Sequence, residues 1–111
     1  MMLPVSITAY CKESGTTLIP KLQAAITTNA CFIIDFTRFS PTEISLTIEG
    51  DSADLQNTLH EFSQLGITFT EYSEFEKKTL AKRKGDVLVQ MYLVTGRKKD
   101  IGNILDDRMR E

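Results

Sequence analysis

The side chains able to do chemistry are few, and their spacing keeps them apart. The chain holds a single histidine, His60, two cysteines, Cys11 and Cys31, and an Asp106-Asp107 pair near its end. A nucleophilic thiol needs a base within hydrogen-bond reach. Both thiols fall at the ends of predicted strands. His60 sits beside Leu59, off the apolar Leu55–Leu59–Phe62 stripe of a predicted helix, and so on its surface. Asp106-Asp107 lacks companion oxygen ligands for a hard cation, and no Cys-x-x-Cys pair offers a zinc or redox site. These residues predict no catalytic centre, no metal and no cofactor. A basic run, Lys77, Lys78, Lys82, Arg83 and Lys84, with Arg97, Lys98 and Lys99 beyond it, reads either as a contact for phosphate or an acidic partner or as a solvated loop.

Composition narrows the class. With 111 residues, 41% of them hydrophobic and 25% charged, the chain is expected to form a globular core without staples. A formal charge of −2 gives no global attraction to nucleic acid or anionic lipid. The opening MMLPVSITAY lacks a basic region followed by a long apolar one, and no run reaches membrane-spanning length. The expectation is a cytoplasmic protein with free thiols and no membrane partner.

Those side chains must be positioned by elements legible from periodicity. Cys31–Gly50 reads as a hairpin: Phe32, Ile34 and Phe36 alternate with Ile33, Asp35 and Thr37, and after a turn at Ser40-Pro41-Thr42, Ile44, Leu46 and Ile48 alternate with Glu43, Ser45, Thr47 and Glu49. Before it, Leu3–Cys11 alternates as a strand with Leu3, Val5, Ile7, Ala9 and Cys11 on one face. Thr16 or Thr17 then caps a helix with Leu18, Leu22, Ala25 and Ile26 along one stripe, and Pro20 in its first turn. After the hairpin, Asp51 or Ser52 caps a second helix buried through Leu55, Leu59, Phe62 and Leu65 and stopped by Gly66. A fourth strand is expected over Ile67–Tyr72. Residues 73–85 read as a linker or long loop. Asp86–Thr95 is a strand apolar on both faces, and Lys99–Arg110 a final helix. The strand–glycine–helix order at each end of the chain suggests a weak internal repeat.

The order βαββαβ predicts an α+β, ferredoxin-like four-stranded antiparallel sheet with both helices on one face. The predicted organisation is one domain over 1–74, a basic linker over 75–85, and a strand–helix extension over 86–111 docked on the domain or on a partner subunit. The first two strands run parallel here, which places Cys11 and Cys31 at opposite ends of the sheet and argues against a disulfide. The second strand is an edge with little protection, which favours pairing with a partner. On the outer face, Ile33 and Phe39, with Asp35 between them, mark either an exposed edge or a subunit interface. Strand three presents Glu43, Ser45, Thr47 and Glu49 outward, with no stacking aromatics, which argues against RNA and against nucleic acid as a partner.

Over VSITAYCKESG at 5–15, ACFIIDFTR at 30–38 and DLQNTLHEFSQLG at 54–66, the chain resembles the ACT domain, a ligand-binding regulatory module. It looks most like the glycine cleavage system transcriptional repressor family, whose members carry two such domains in tandem; 87–110 would open the second. The family's Asp-Arg-Pro-Gly loop is replaced by Lys12-Glu13-Ser14-Gly15, and its ligand-holding asparagine by Phe32, with Asn29 three residues upstream. The resemblance implies a non-enzymatic homodimer in transcription regulation that senses an amino acid or small metabolite. Lys12, Glu13, Ser14, Gly15 and Thr16, with Asn29, Cys31 and Phe32 from a partner subunit, would line that site. The alternative is a protein–protein interaction or oligomerisation domain without a small-molecule ligand.

Overall fold

A computed structural model describes residues 4–96. Its elements run β1 (Val5–Cys11), α1 (Gly15–Thr28), β2 (Phe32–Ser40), β3 (Glu43–Asp51), α2 (Ser52–Gln64), β4 (Thr68–Phe69), α3 (Glu71–Lys82) and β5 (Asp86–Thr95). The helix expected over 99–110 lies outside the described residues.

The alternation of the chain builds one core. Val5, Ile7, Ala9 and Cys11 of β1, Ile44, Leu46 and Ile48 of β3, and Val87, Val89, Met91 and Leu93 of β5 are all buried on one sheet face. Leu18, Leu22 and Ile26 of α1, with Leu55, Leu59 and Phe62 of α2, cover that face. Asp51 caps α2 by accepting from Ala53 N at 3.0 Å. α1 starts earlier than the threonines suggest: Ser14 is its cap, accepting from Thr17 N at 3.3 Å, so Pro20 falls in the second turn rather than the first.

The class is α+β, but the sheet is five-stranded and mixed, in the order β2-β3-β5-β1-β4, not four-stranded and antiparallel. In a ferredoxin-like order β1 would lie beside β3. Here β5 is wedged between them, antiparallel to β3 and parallel to β1. The placement suits its residues: Val87, Val89, Met91 and Leu93 are buried under the helices, and Val94, on the opposite face, is covered by Tyr92 and by Tyr10 of the neighbouring β1. The segment expected as an extension docked outside the domain is therefore the centre of the sheet.

The expected linker is also structured. β4 is only two residues long because Thr70 leaves the sheet to cap α3, its hydroxyl accepting from Ser73 N at 3.3 Å. Glu71 and Glu74 in the first turn of α3 and Lys82 in the last suit the helix dipole. Its buried residues are Ser73 and Leu80, so little apolar stripe announces it.

Candidate functional site

β2 leaves the helical layer. Its register with β3 shifts between Ile33 and Asp35 and again between Arg38 and Ser40. These bulges replace the simple alternation expected for the strand. Ile33, Phe36 and Arg38 sit opposite Ile48, Leu46 and Ile44 on the helix side, while Phe32, Asp35 and Thr37 face the open side. Ile33 is thus not on the outer face. Phe39 is, beside a shallow basin of about 450 Å³ floored by Ser6, Thr8, Ser45, Gln90 and Tyr92. No residue of β2 is buried. Phe32 is 66% exposed, Ile34 57% and Phe39 63%, and among the described residues the outer edge of the strand has no neighbour in the sheet.

The residues of the expected ligand site lie in two places. Lys12, Glu13, Ser14, Gly15 and Thr16 join β1 to α1 at the end of the sheet where Cys11 faces Thr95. Asn29, Cys31 and Phe32 lie at the other end, where Cys31 meets Gly50, itself opposite Val87. One chain does not bring the two groups together. Within the loop, Glu13 is engaged by Lys21 at 3.0 Å. Gly15 is buried, and a methyl built on it would lie 3.2 Å from Ile44 Cδ1, 3.4 Å from Arg38 Nη2 and 3.5 Å from Thr95 Oγ1. Arg38 and Thr95 therefore converge on the start of α1, although 23 and 80 positions separate them from Gly15. No local motif marks them, because the register of β2 and the central position of β5 decide their approach.

Cys31 is a core thiol. Its Sγ lies 3.5 Å from Thr58 Oγ1, and a Cβ on Gly50 would come within 2.6 Å of it. Burial pushes this thiol up from its ordinary value, the Thr58 hydroxyl partly offsets that, and Asp54 and Asp51 add to the rise. A thiol held protonated is a poor nucleophile. Cys11 is likewise buried and free, whereas His60 is exposed on α2 beside Gln64. Among the described residues no group of three His, Cys, Asp or Glu side chains could hold a metal, and no helix is long and apolar enough to cross a membrane.

On the open face, the Tyr92 hydroxyl donates to Glu43, and Tyr10 packs on Val94. The surface mixes hydroxyl, amide and carboxylate groups, with no basic side chain among those lining the basin. The chain matches no protein-family model, no curated protein and no solved structure.

Proposed function

We propose that this chain is a non-catalytic, ACT-like regulatory module that works as a homodimer, two copies pairing antiparallel along β2. The observation that carries the proposal is the free edge of β2, with Phe32, Ile33, Ile34, Phe36 and Phe39 all exposed along it. An unpaired strand with apolar side chains on both faces is a template for another strand. The occupant is a second copy. Antiparallel self-pairing about a two-fold perpendicular to the sheet keeps both helical layers on one side, so Ile33 and Phe36 of each copy meet their counterparts over the join. The strand carries one charge of each sign, Asp35 and Arg38, so like strands meet without net repulsion.

Sedimentation of the full chain tests this. The expected result is a dimer that Ile34→Lys combined with Phe36→Lys converts to a monomer, weakening association by about a hundredfold or more. Because both side chains are exposed, the variant should retain its monomer stability to within about 1 kcal/mol. A wild-type chain that stays monomeric at high concentration, or a dimer indifferent to both lysines, would remove the proposal.

A further inference from the structure

We infer that the N-terminus of α1 binds a small oxyanion, a phosphate or carboxylate group, held between the helix, Arg38 and Thr95. The inference names a ligand class for the regulatory reading, but the site lies within one chain and does not need the dimer. It also draws on Arg38 and Thr95, which are outside the set of residues that the ACT resemblance assigns to a ligand.

Three unresolved features meet at this point. The first is the helix end itself. Ser14 Oγ takes the Thr17 N–H, and Ser14 O takes that of Leu18 at 3.0 Å. The Gly15 and Thr16 N–H groups are left to whatever lies beyond, and the first turn contains no acidic residue. The second is Arg38. Its guanidinium approaches Gly15, at the positive end of a 14-residue helix, where a cation is disfavoured. Its hydrogen bond is a long one, 3.4 Å to the Pro41 carbonyl, and neither ion pair found among the described residues involves it. The third is Thr95. The residue is fully buried, and its Oγ1 is the one buried side-chain N or O atom among the described residues without a hydrogen-bond partner. Thr95 Oγ1 and Arg38 Nη2 reach the same side of Gly15, close to the position a side chain would fill.

A single oxyanion resolves all three. Two backbone N–H groups, a guanidinium and a hydroxyl are all donors, and the nearest loop carboxylate, Glu13, is already paired with Lys21. Such a set accepts an anion and rejects a cation. Its position is the carboxyl end of the parallel pair β1 and β5. Cys11 and Thr95 end the two parallel neighbours β1 and β5, and α1 begins just beyond them. Arg38 is exposed whereas Thr95 is fully buried, so Arg38 is the side chain that must move to admit an anion.

The test is a titration of the full, ¹⁵N-labelled chain with sodium phosphate, acetate or chloride at matched ionic strength. Phosphate or acetate should shift the Gly15 and Thr16 amides saturably and raise the melting temperature, with chloride doing neither; the tighter of the two identifies the group. Arg38→Gln should weaken binding by about tenfold or more. Thr95→Val, which keeps the shape of the residue, should weaken it several-fold while raising the melting temperature of the anion-free chain, and its amide spectrum reports that it is folded. No saturable shift with either oxyanion, or equal shifts in the wild type and both variants, would overturn the site. Repeating the titration on the Ile34→Lys/Phe36→Lys chain separates the two readings. A monomer that binds supports the site whatever the fate of the dimer, and a dimer that fails to bind overturns the site alone.

Discussion

The two edges of this sheet are built on opposite plans. At the β1 edge, β4 pairs through Ala9↔Phe69 and Tyr10↔Thr68 only, and α3 then takes over as the cover. Ser73 Oγ accepts the Thr8 N–H at 2.6 Å, filling a backbone site that a further strand would have used. Thr70 Oγ1 donates to the same oxygen at 2.9 Å, and Lys77 lies 4.4 Å from the Phe69 ring centroid, close enough for a cation–π contact. Tyr72 and Phe75 remain exposed on α3, but a helix surface offers no unpaired strand beneath them. At the β2 edge no described residue pairs with the backbone, and the side chains are apolar on both faces. The difference teaches that one edge is closed by a helix and that, among the described residues, the other is not.

Each edge can be broken separately. On the β2 side the largest effect after the lysine pair is expected at Gly50, which lets β3 pass close to Cys31 at the entry to β2. A Cβ there would lie 2.6 Å from Sγ and 3.3 Å from Cβ of Cys31. Gly50→Ala should therefore cost about 2–3 kcal/mol by denaturant unfolding, through overpacking. Adding Cys31→Ala removes the closer clash and should recover part of that loss; a double variant no better than additive would mean that the strain lies in the backbone.

On the β1 side, Ser73→Ala leaves the Thr8 N–H without its acceptor and should cost about 1–2 kcal/mol. Association through β2 should be unchanged, because the two edges lie on opposite sides of the sheet. A fall in association of the same size as the fall in stability would show that the two edges are coupled through the sheet.

What the sequence announces and what it hides divide along physical lines. Stripes that pay their way by burial are legible: Leu18–Leu22–Ile26, Leu55–Leu59–Phe62 and Ile44–Leu46–Ile48 all reach the core as their periods predict. α3 is hidden because Ser73, Lys77 and Leu80 occupy the stripe where apolar residues would signal a helix; its signs are the Thr70 cap and the acidic-to-basic order. The bulges of β2 are hidden because Phe, Ile and Phe at alternating positions look like a buried face whether or not a helix covers them. The central place of β5 is half visible. Its apolar faces require neighbours, but which strands those are depends on a crossover that composition does not encode. The loop at 12–16 was legible as a helix entry. Arg38 and Thr95 were not legible as its companions, since only the completed sheet brings them there.

The smallest expected effect concerns how each helix hands the chain to the sheet. α1 and α2 end in the same way. Cys31 N donates to Ile26 O at 3.0 Å and Ala30 N to Thr27 O at 3.1 Å, while Ile67 N donates to Phe62 O at 3.2 Å and Gly66 N to Ser63 O at 3.1 Å. Both are helix stops that require a left-handed residue, supplied by Gly66 at φ 93° on the β4 side but by Ala30 at φ 59° on the β2 side. A Cβ on Gly66 would meet nothing within 4 Å, and Ala30 is exposed, so the exchange of these residues isolates the backbone term. Ala30→Gly should stabilise the chain by about 0.5–1 kcal/mol and Gly66→Ala should destabilise it by about 1 kcal/mol, measured by denaturant unfolding. A loss on Ala30→Gly would mean that the methyl group has a contact worth more than the strain it imposes. The entry to the open edge would then be held by packing, as the closed edge is.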